Sequence, residues 1–162
     1  MAAGEVRRVS LQPDSPLSSA PRERVRALID TNVTLDWLLD RKPWSDAAQP
    51  LWDARDAGDV IAYIPASVVT DIFYIIRRQA DIPTAFASVD RVFSAFGLCT
   101  VDEPLLRQAR ALQGNDFEDN VQIACALAAQ VDLIITRDPV DFRFSPIPVI
   151  EPSQIAGYLS NP

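Results

Sequence analysis

Several aspartates stand at the edges of apolar segments in this chain, and together they have the chemistry of a metal site. They are Asp30, Asp71, Asp116, Asp119 and Asp138. The sequence contains no histidine, so a site built from these side chains would offer oxygen ligands. Oxygen ligands suit hard cations such as Mg²⁺ or Mn²⁺. The residue types therefore predict phosphate chemistry.

The apolar pattern predicts the elements that must position these acids. Short apolar runs predict strands at residues 25–29, 60–64, 98–101, 133–136 and 148–150. Helical patterns follow at residues 33–39, 45–57, 65–79, 83–96, 104–112, 116–130 and 152–159, with Pro50 placed to break the second helix. Strands that alternate with helices and are too apolar to have a wet face predict a parallel sheet. The fold class is therefore α/β, with three layers in an α/β/α arrangement around a Rossmann-like sheet.

This topology would bring the separated acids together. Parallel sheets carry their chemistry at the carboxyl ends of the strands, where the following helices also begin. Asp30 and Asp138 fall just after predicted strands. Asp116 and Asp119 fall at a helix start, and Asp71 falls in the second turn of another helix. We therefore expect all five to face one edge of the sheet.

Asp30 and Asp71 also have interpretations that need no metal. Asp30 is equally compatible with a helix cap. Asp71 stands among the apolar residues 68–76, which predict a buried carboxylate. A buried, unpaired carboxylate is costly, so a cation must compensate its charge. We favour a metal, and the side chain of Arg77 or Arg78 is the alternative.

The remaining acids have ordinary structural interpretations that stay open. Asp116 and Asp119 suit the positive end of a helix dipole and share one face of that helix, whereas we expect Glu118 to point elsewhere, into solvent. Asp138 and Asp141 stand on either side of a proline and are compatible with a turn. Each aspartate alone is weak evidence for a metal site, and the arrangement of all of them is stronger evidence.

Composition indicates a single acidic domain. The chain has 162 residues and a net charge of −7, which argues against a broad basic surface for nucleic acid, although bound cations would offset part of that charge. No apolar stretch approaches the roughly 20 residues of a membrane span. Residues 1–24 are typical of a disordered extension, or of a start codon placed too far upstream. We expect a cytoplasmic protein with its folded domain at 25–162, no membrane contact, and reduced core cysteines at positions 99 and 125.

Four segments, read in order, carry a family resemblance. They are Leu-Ile-Asp-Thr-Asn at 28–32, Val-Thr-Asp-Ile at 69–72, Asp-Phe-Glu-Asp leading into Ile-Ala-Cys-Ala at 116–126, and Ile-Thr-Arg-Asp with a following Asp-Phe at 135–142. This series resembles the PIN-domain ribonucleases, and among them the VapC-like, toxin-type branch. The resemblance covers about residues 25–155, and its first and last segments are the most specific.

The resemblance implies roles for these residues. The catalytic acids would be Asp30, Asp71, Asp119 and Asp138. Many relatives carry glutamate where this chain has Asp71, whose shorter side chain would place water between its carboxylate and the metal. The supporting residues would be Thr31, Asn32 and Thr136, which orient carboxylates and water, with Asp116 and Asp141 as accessories.

The resulting hypothesis is an endoribonuclease that uses one or two Mg²⁺ or Mn²⁺ ions. The family implies a 5′-phosphate and a 3′-hydroxyl product, a partner antitoxin protein and a homodimer. Candidate contacts with RNA phosphates are Arg77, Arg78 and Arg137, because guanidinium groups match phosphate oxygens.

The sequence also leaves three other functions to consider. One is a weakly catalytic or non-catalytic module that acts through a protein partner, whose basic peptide the acidic edge would attract. Another is a stand-alone RNA-processing nuclease without an antitoxin. A phosphoacceptor receiver-type domain is disfavoured, because its chemistry uses a lysine near the last strand and the only lysine here is Lys42.

Overall fold

The computed structural model describes residues 24–160, so the predicted N-terminal extension lies, except for Arg24, outside the described residues. The strands are β1 Val25–Ile29, β2 Val60–Pro65, β3 Gly97–Cys99, β4 Leu133–Ile135 and β5 Val149–Ile150. The helices are α1 Thr31–Leu39, α2 Trp44–Ala47, α3 Gln49–Asp56, α4 Val68–Gln79, α5 Ile82–Ala95, α6 Glu103–Ala111, α7 Phe117–Ala128 and α8 Ile155–Ser160, the last preceded by a 3₁₀ turn at Pro152–Gln154.

The strands form one parallel sheet in the order β3-β2-β1-β4-β5. The central strand, β1, is paired on both sides, so its side chains alternate between two covered faces. Ala27 and Ile29 belong to one apolar core and Leu28 to the other, and all three are fully buried. This alternation follows from the two-residue period of a strand. The predicted parallel α/β sheet is confirmed.

Helices cover both faces of the sheet. One core joins the sheet to side chains from α1, α3, α4, α5 and α8, and the other joins it to α6 and α7. The predicted three-layer α/β/α arrangement is therefore confirmed. In the layer that contains α6 and α7, helix α7 packs against β1, β2 and β4.

Two prolines show where local prediction succeeded and failed. Pro50 lies in the first turn of α3, and the single helix predicted at 45–57 is divided into α2 and α3. Pro65 was expected to begin the next helix, and that prediction is wrong. It is the last residue of β2, and α4 begins at Val68.

The two cysteines are buried and free, as predicted. Cys99 ends β3 and Cys125 lies in α7, and both belong to the core between the sheet and helices α6 and α7. Among the described residues, no helix combines the length and apolar character needed to cross a membrane.

Candidate active site

Asp30 occupies the centre of the candidate site. It follows β1 directly, caps α1 by accepting a hydrogen bond from the Asn32 backbone N–H, and is only 3% exposed. Its Oδ1 accepts from Gln122 Nε2 at 3.1 Å, and its Oδ2 accepts from Thr136 Oγ1 at 2.9 Å. The helix-cap interpretation is thus correct, and it coexists with a carboxylate that three separate segments hold in place.

Thr136 ties Asp30 to the segment that carries Asp138. The hydroxyl of this fully buried threonine donates to Asp30 and accepts from the Asp138 backbone N–H at 3.0 Å. Asp138 itself is exposed and begins a turn, in which the Asp141 backbone N–H donates to the Asp138 carbonyl at 3.1 Å. The turn interpretation of Asp138 and Asp141 is therefore also correct.

The start of α7 supplies further carboxylates to the same place. Asp116 caps the helix, and its Oδ1 accepts from the backbone N–H groups of Glu118 at 2.7 Å and Asp119 at 3.3 Å. Asp119 is half-buried. Burial, together with the negative charges of Asp116, Asp30, Asp141 and Glu118, raises the pKa of Asp119 to about 7.

Burial also raises the pKa of Asp30, and the charge of Asp138 adds to that effect. The hydrogen bonds from Gln122, Thr136 and the Asn32 backbone act in the opposite direction, because they stabilise the charged carboxylate. The fold therefore concentrates negative charge around Asp30 and Asp119.

Glu118 is exposed, as predicted, but it does not point away from the site as was expected. Its Oε1 accepts a hydrogen bond from Thr31 Oγ1 at 2.8 Å, which joins the start of α7 to the start of α1. Glu118 also lines a cavity of about 270 Å³ together with Thr31, Asn32 and Asp71. A side chain in the first turn of a helix can reach beyond the helix itself, and the helical wheel does not show this.

Asp71 was expected to be buried and compensated, and the structure corrects this. It lies in the first turn of α4 rather than the second, and it is exposed. The buried residues of α4 are Val68, Ile72 and Ile76, which form one stripe at four-residue spacing. Asp71 lies outside this stripe and faces the cavity that it shares with Thr31 and Glu118.

The predicted arginine contacts differ in their surroundings. Arg77 and Arg78 are exposed in the last turn of α4 and form no ion pair with Asp71. Arg137 is engaged instead. Its NH1 lies 2.7 Å from Oδ2 of the buried Asp36, and its Nε lies 3.5 Å from Oδ2 of Asp138.

Sequence reasoning missed two residues that support the site. Gln122 lies one turn after Glu118 and Asp119 on α7, and it is 1% exposed. Asp36 lies on α1 and is 1% exposed. A polar side chain inside an otherwise apolar helical segment was the available signal for both, but their partners lie 92 and 101 residues away.

The donor set fits a hard divalent cation by its chemistry. Asp30, Asp71, Asp116, Asp119 and Glu118 form no ion pair within residues 24–160, so a cation there would offset uncompensated charge. Gln122 Oε1 is buried and has no hydrogen-bond partner. Within the same residues, however, no three carboxylates or thiols lie close enough to ligate one ion. Binding would therefore involve water ligands or a small inward movement of carboxylates.

The sequence matches the model of the PIN domain over residues 26–139. The chain belongs to the PIN-domain family. The match includes Asp30, Asp71, Asp119 and Asp138, and it ends at the turn after β4. No curated protein matches the sequence.

Solved structures that contain a VapC protein share this PIN fold. The DNA-bound VapBC structure from Salmonella typhimurium has a TM-score of 0.60 at 15% identity, covering 79% of this chain and 98% of that one. VapBC2 from Rickettsia felis, bound to a promoter DNA fragment, has a TM-score of 0.59 at 12% identity and covers 78% and 98%. VapC20 of Mycobacterium tuberculosis, described as a toxin that cleaves the sarcin–ricin loop, has a TM-score of 0.55 at 13% identity and covers 67% and 86%. At these identities, the similarity establishes the fold.

Proposed function

We propose that this PIN-domain protein is an endoribonuclease that uses Mg²⁺ or Mn²⁺ and acts as the toxin of a toxin–antitoxin pair. The supporting observation is the meeting of Asp30, fixed at the end of β1, with Asp119 at the start of α7. Their mutual repulsion contributes to the raised pKa of Asp119. A divalent cation would relieve this repulsion by taking the place of a proton.

Each acid has a distinct role in this proposal. Asp30, Asp119 and Asp138 would hold the cation, partly through water ligands, from the end of β1, the start of α7 and the turn after β4. Asp71 acts through water from the neighbouring cavity, where its exposure and short side chain suit an indirect contact. Asp116 holds the start of α7 in place through its two backbone hydrogen bonds, and Asp141 adds negative charge.

The polar neighbours orient these carboxylates. Thr136 donates to one oxygen of Asp30, and Gln122 and the Asn32 backbone N–H donate to the other, so about one of the roughly four lone-pair sites of this carboxylate is left for a further partner. When bound, a divalent cation supplies charge stabilisation at the phosphate and lowers the pKa of its bound water. Thr31 and Asn32 border the cavity that would admit water to the site.

The substrate class rests on the comparison with VapC20, which is described as cleaving the sarcin–ricin loop. The test is cleavage of structured and unstructured RNAs in Mg²⁺, Mn²⁺ or EDTA. We expect the parent to cut RNA with either metal, to leave a 5′-phosphate and a 3′-hydroxyl, and to be inactive in EDTA. Asp30→Asn should lose more activity than the roughly 10–100-fold that is typical of an outer-shell change.

The matched control is Asp90→Asn. Asp90 is an exposed aspartate on α5 that forms no ion pair within the described residues, so this variant should cut RNA as the parent does. Asp30→Asn protein that remains folded and cuts RNA at the parent's rate would refute the proposal.

An antitoxin partner is the second part of the proposal. Two of the similar structures are VapBC complexes, and the acidic edge of this chain would attract a basic peptide that carries an arginine. A short neighbouring reading frame that encodes a DNA-binding fold, and a product that binds this chain and stops cleavage, would support it. Without such a partner, a stand-alone RNA-processing nuclease becomes the better proposal. A homodimer and a cytoplasmic location remain predictions.

A further inference from the structure

A second cavity lies beside the acidic edge and has no role in the proposed cleavage chemistry. It measures about 200 Å³ and lies between α1, α2 and the 3₁₀ turn before α8. Its walls include Trp44, Asp36, Arg137 and Glu151. This volume is below the roughly 300–1,000 Å³ of sites for drug-sized ligands. The occupant is therefore limited to a small group, such as a single ring system.

An aromatic platform forms one wall of this cavity. Trp44 is 45% exposed, although it is a large apolar residue. The guanidinium carbon of Arg137 lies 4.4 Å from the centroid of the indole ring. Arg137 is itself fixed by the ion pair with the buried Asp36 at 2.7 Å. Trp44 thus carries the ion-paired guanidinium of Arg137 over its ring and still presents apolar ring surface to solvent.

The charges on the cavity walls select the class of occupant. Arg137 is already paired with Asp36, so it offers little to a phosphate. Asp36 and Glu151 both line the cavity, and the buried Asp36 Oδ1 accepts no hydrogen bond, although Arg41 NH1 lies 3.8 Å from it. Carboxylates accept hydrogen bonds and repel anions. An uncharged planar group with an exocyclic amino group fits these walls, because that group offers two N–H donors whereas uracil offers one. A second guanidinium would be repelled by Arg137.

Arg137 connects this cavity to the acids of the cleavage site. Its Nε lies 3.5 Å from Oδ2 of Asp138, the next residue in the chain. A nucleotide whose base entered the cavity would therefore bring its neighbouring phosphate toward Asp138. Aromatic stacking of unpaired bases is a general means by which proteins bind single-stranded RNA.

We infer that this cavity binds one unpaired nucleobase of the RNA substrate, stacked on Trp44, and that it favours bases with an exocyclic amino group over uracil. This inference rests on the proposed ribonuclease function. Trp44 is then a specificity-determining residue, because it contacts the substrate away from the bond that is cut.

The test compares Trp44→Ala with a matched control, Phe144→Ala. Phe144 is 43% exposed and carries the Arg143 guanidinium 4.6 Å from its ring centroid, but it does not line the cavity. RNA binding is measured in EDTA by fluorescence anisotropy with short oligoadenylate and oligouridylate, and cleavage with Mn²⁺ is mapped on a mixed-sequence RNA. We expect Trp44→Ala to weaken oligoadenylate binding by about 5- to 100-fold, to raise KM more than it lowers kcat, and to relax the base preference at the cut site. Phe144→Ala should behave as the parent does.

A second variant covers the case in which Trp44→Ala does not fold. Ser153 is exposed and lines the cavity, so Ser153→Tyr should fill it and produce the same loss with Trp44 in place. Unchanged oligoadenylate binding and unchanged cut sites in the folded variants overturn the inference, as does a parent that binds no RNA. Unchanged RNA binding with lost binding of a partner protein also overturns it and assigns the cavity to that partner. If the parent binds oligoadenylate through Trp44 but cuts no RNA, the inference that the cavity binds a nucleobase is supported and the proposed cleavage is refuted.

Discussion

The end of β1 and the start of α4 each bring an aspartate to the same region of the molecule, in very different surroundings. Asp30 is 3% exposed, and both of its carboxylate oxygens accept hydrogen bonds from buried side chains. Asp71 is exposed, and no hydrogen bond or ion pair holds its carboxylate within the described residues. One side of the candidate site is therefore fixed by the core, and the other is open to solvent.

This difference indicates that the two sides of the site contribute differently to stability and to activity. A carboxylate fixed by buried donors loses little entropy when it binds a cation, and its geometry is set before binding. An exposed aspartate can adapt its position and exchange water. We therefore expect substitutions on the fixed side to affect both stability and activity, and substitutions on the open side to affect activity alone.

We expect Thr136→Val, on the fixed side of the site, to cause the largest combined loss of stability and activity. It would leave the buried Asp30 Oδ2 without its donor and the Asp138 backbone N–H without its acceptor. We expect a loss of about 1–3 kcal/mol in the free energy of unfolding, measured by urea denaturation. RNA cleavage should fall by about 10–100-fold, as is usual when an outer-shell partner is removed.

The matched control for Thr136 is Thr136→Ser, which keeps the hydroxyl and removes a methyl group. Cleavage by this variant should stay close to that of the parent. Equal losses of activity in Thr136→Val and Thr136→Ser would show that packing, not the hydroxyl, maintains the fixed side.

The raised pKa of Asp119 predicts how the stability of the protein depends on pH. This pKa is raised to about 7 in the folded protein from an ordinary value of 3.8, so the folded state binds this proton more tightly. The stabilisation is fully present below pH 3.8 and is lost as the pH rises through 7. Without metal, the Tm of the parent should therefore fall between pH 5 and 8 relative to Asp119→Asn, which has no proton to lose there. The difference should be a few degrees, since about 1 kcal/mol moves Tm by roughly 2–4 °C in a chain of this size.

The same Tm measurements are repeated with Mn²⁺ added. The cation should raise the Tm of the parent more at pH 8 than at pH 5, because at the lower pH it competes with the proton on Asp119. Parallel pH profiles for the parent and Asp119→Asn would mean that this carboxyl group titrates in its ordinary range.

Asp71→Asn should have the smallest effect on stability. Since Asp71 is exposed and lies outside the buried stripe of α4, we expect a change within about 0.5 kcal/mol in urea denaturation. Cleavage should fall by roughly 10-fold, at the low end of outer-shell effects. A large loss of stability would contradict the distinction between the fixed and open sides.

The sequence was sufficient to predict the sheet and the acids that follow its strands. Asp30 directly follows the mostly apolar run of β1, and Asp138 follows the apolar run of β4 after Thr136 and Arg137; such runs in a parallel sheet end at one edge. The break near Pro50 was also predictable, because proline favours the first turn of a helix and disfavours its interior.

The partners of these acids were not predictable, because they depend on packing between distant segments. Gln122 reaches Asp30 across 92 residues, and Arg137 reaches Asp36 across 101. Asp71 was predicted to be buried because its sequence neighbours are apolar. The structure shows that those neighbours form one stripe of a helix, so the face of the helix decides the exposure of Asp71 and the local composition does not.

Titration calorimetry with Mn²⁺ shows whether the acids at this edge form a cation site. We expect the parent and Asp90→Asn to bind Mn²⁺ with equal affinity, Asp30→Asn and Asp119→Asn to lose most of that affinity, and Asp71→Asn to keep more of it than either. Equal Mn²⁺ binding by the parent and by folded Asp30→Asn would show that Asp30 holds no cation.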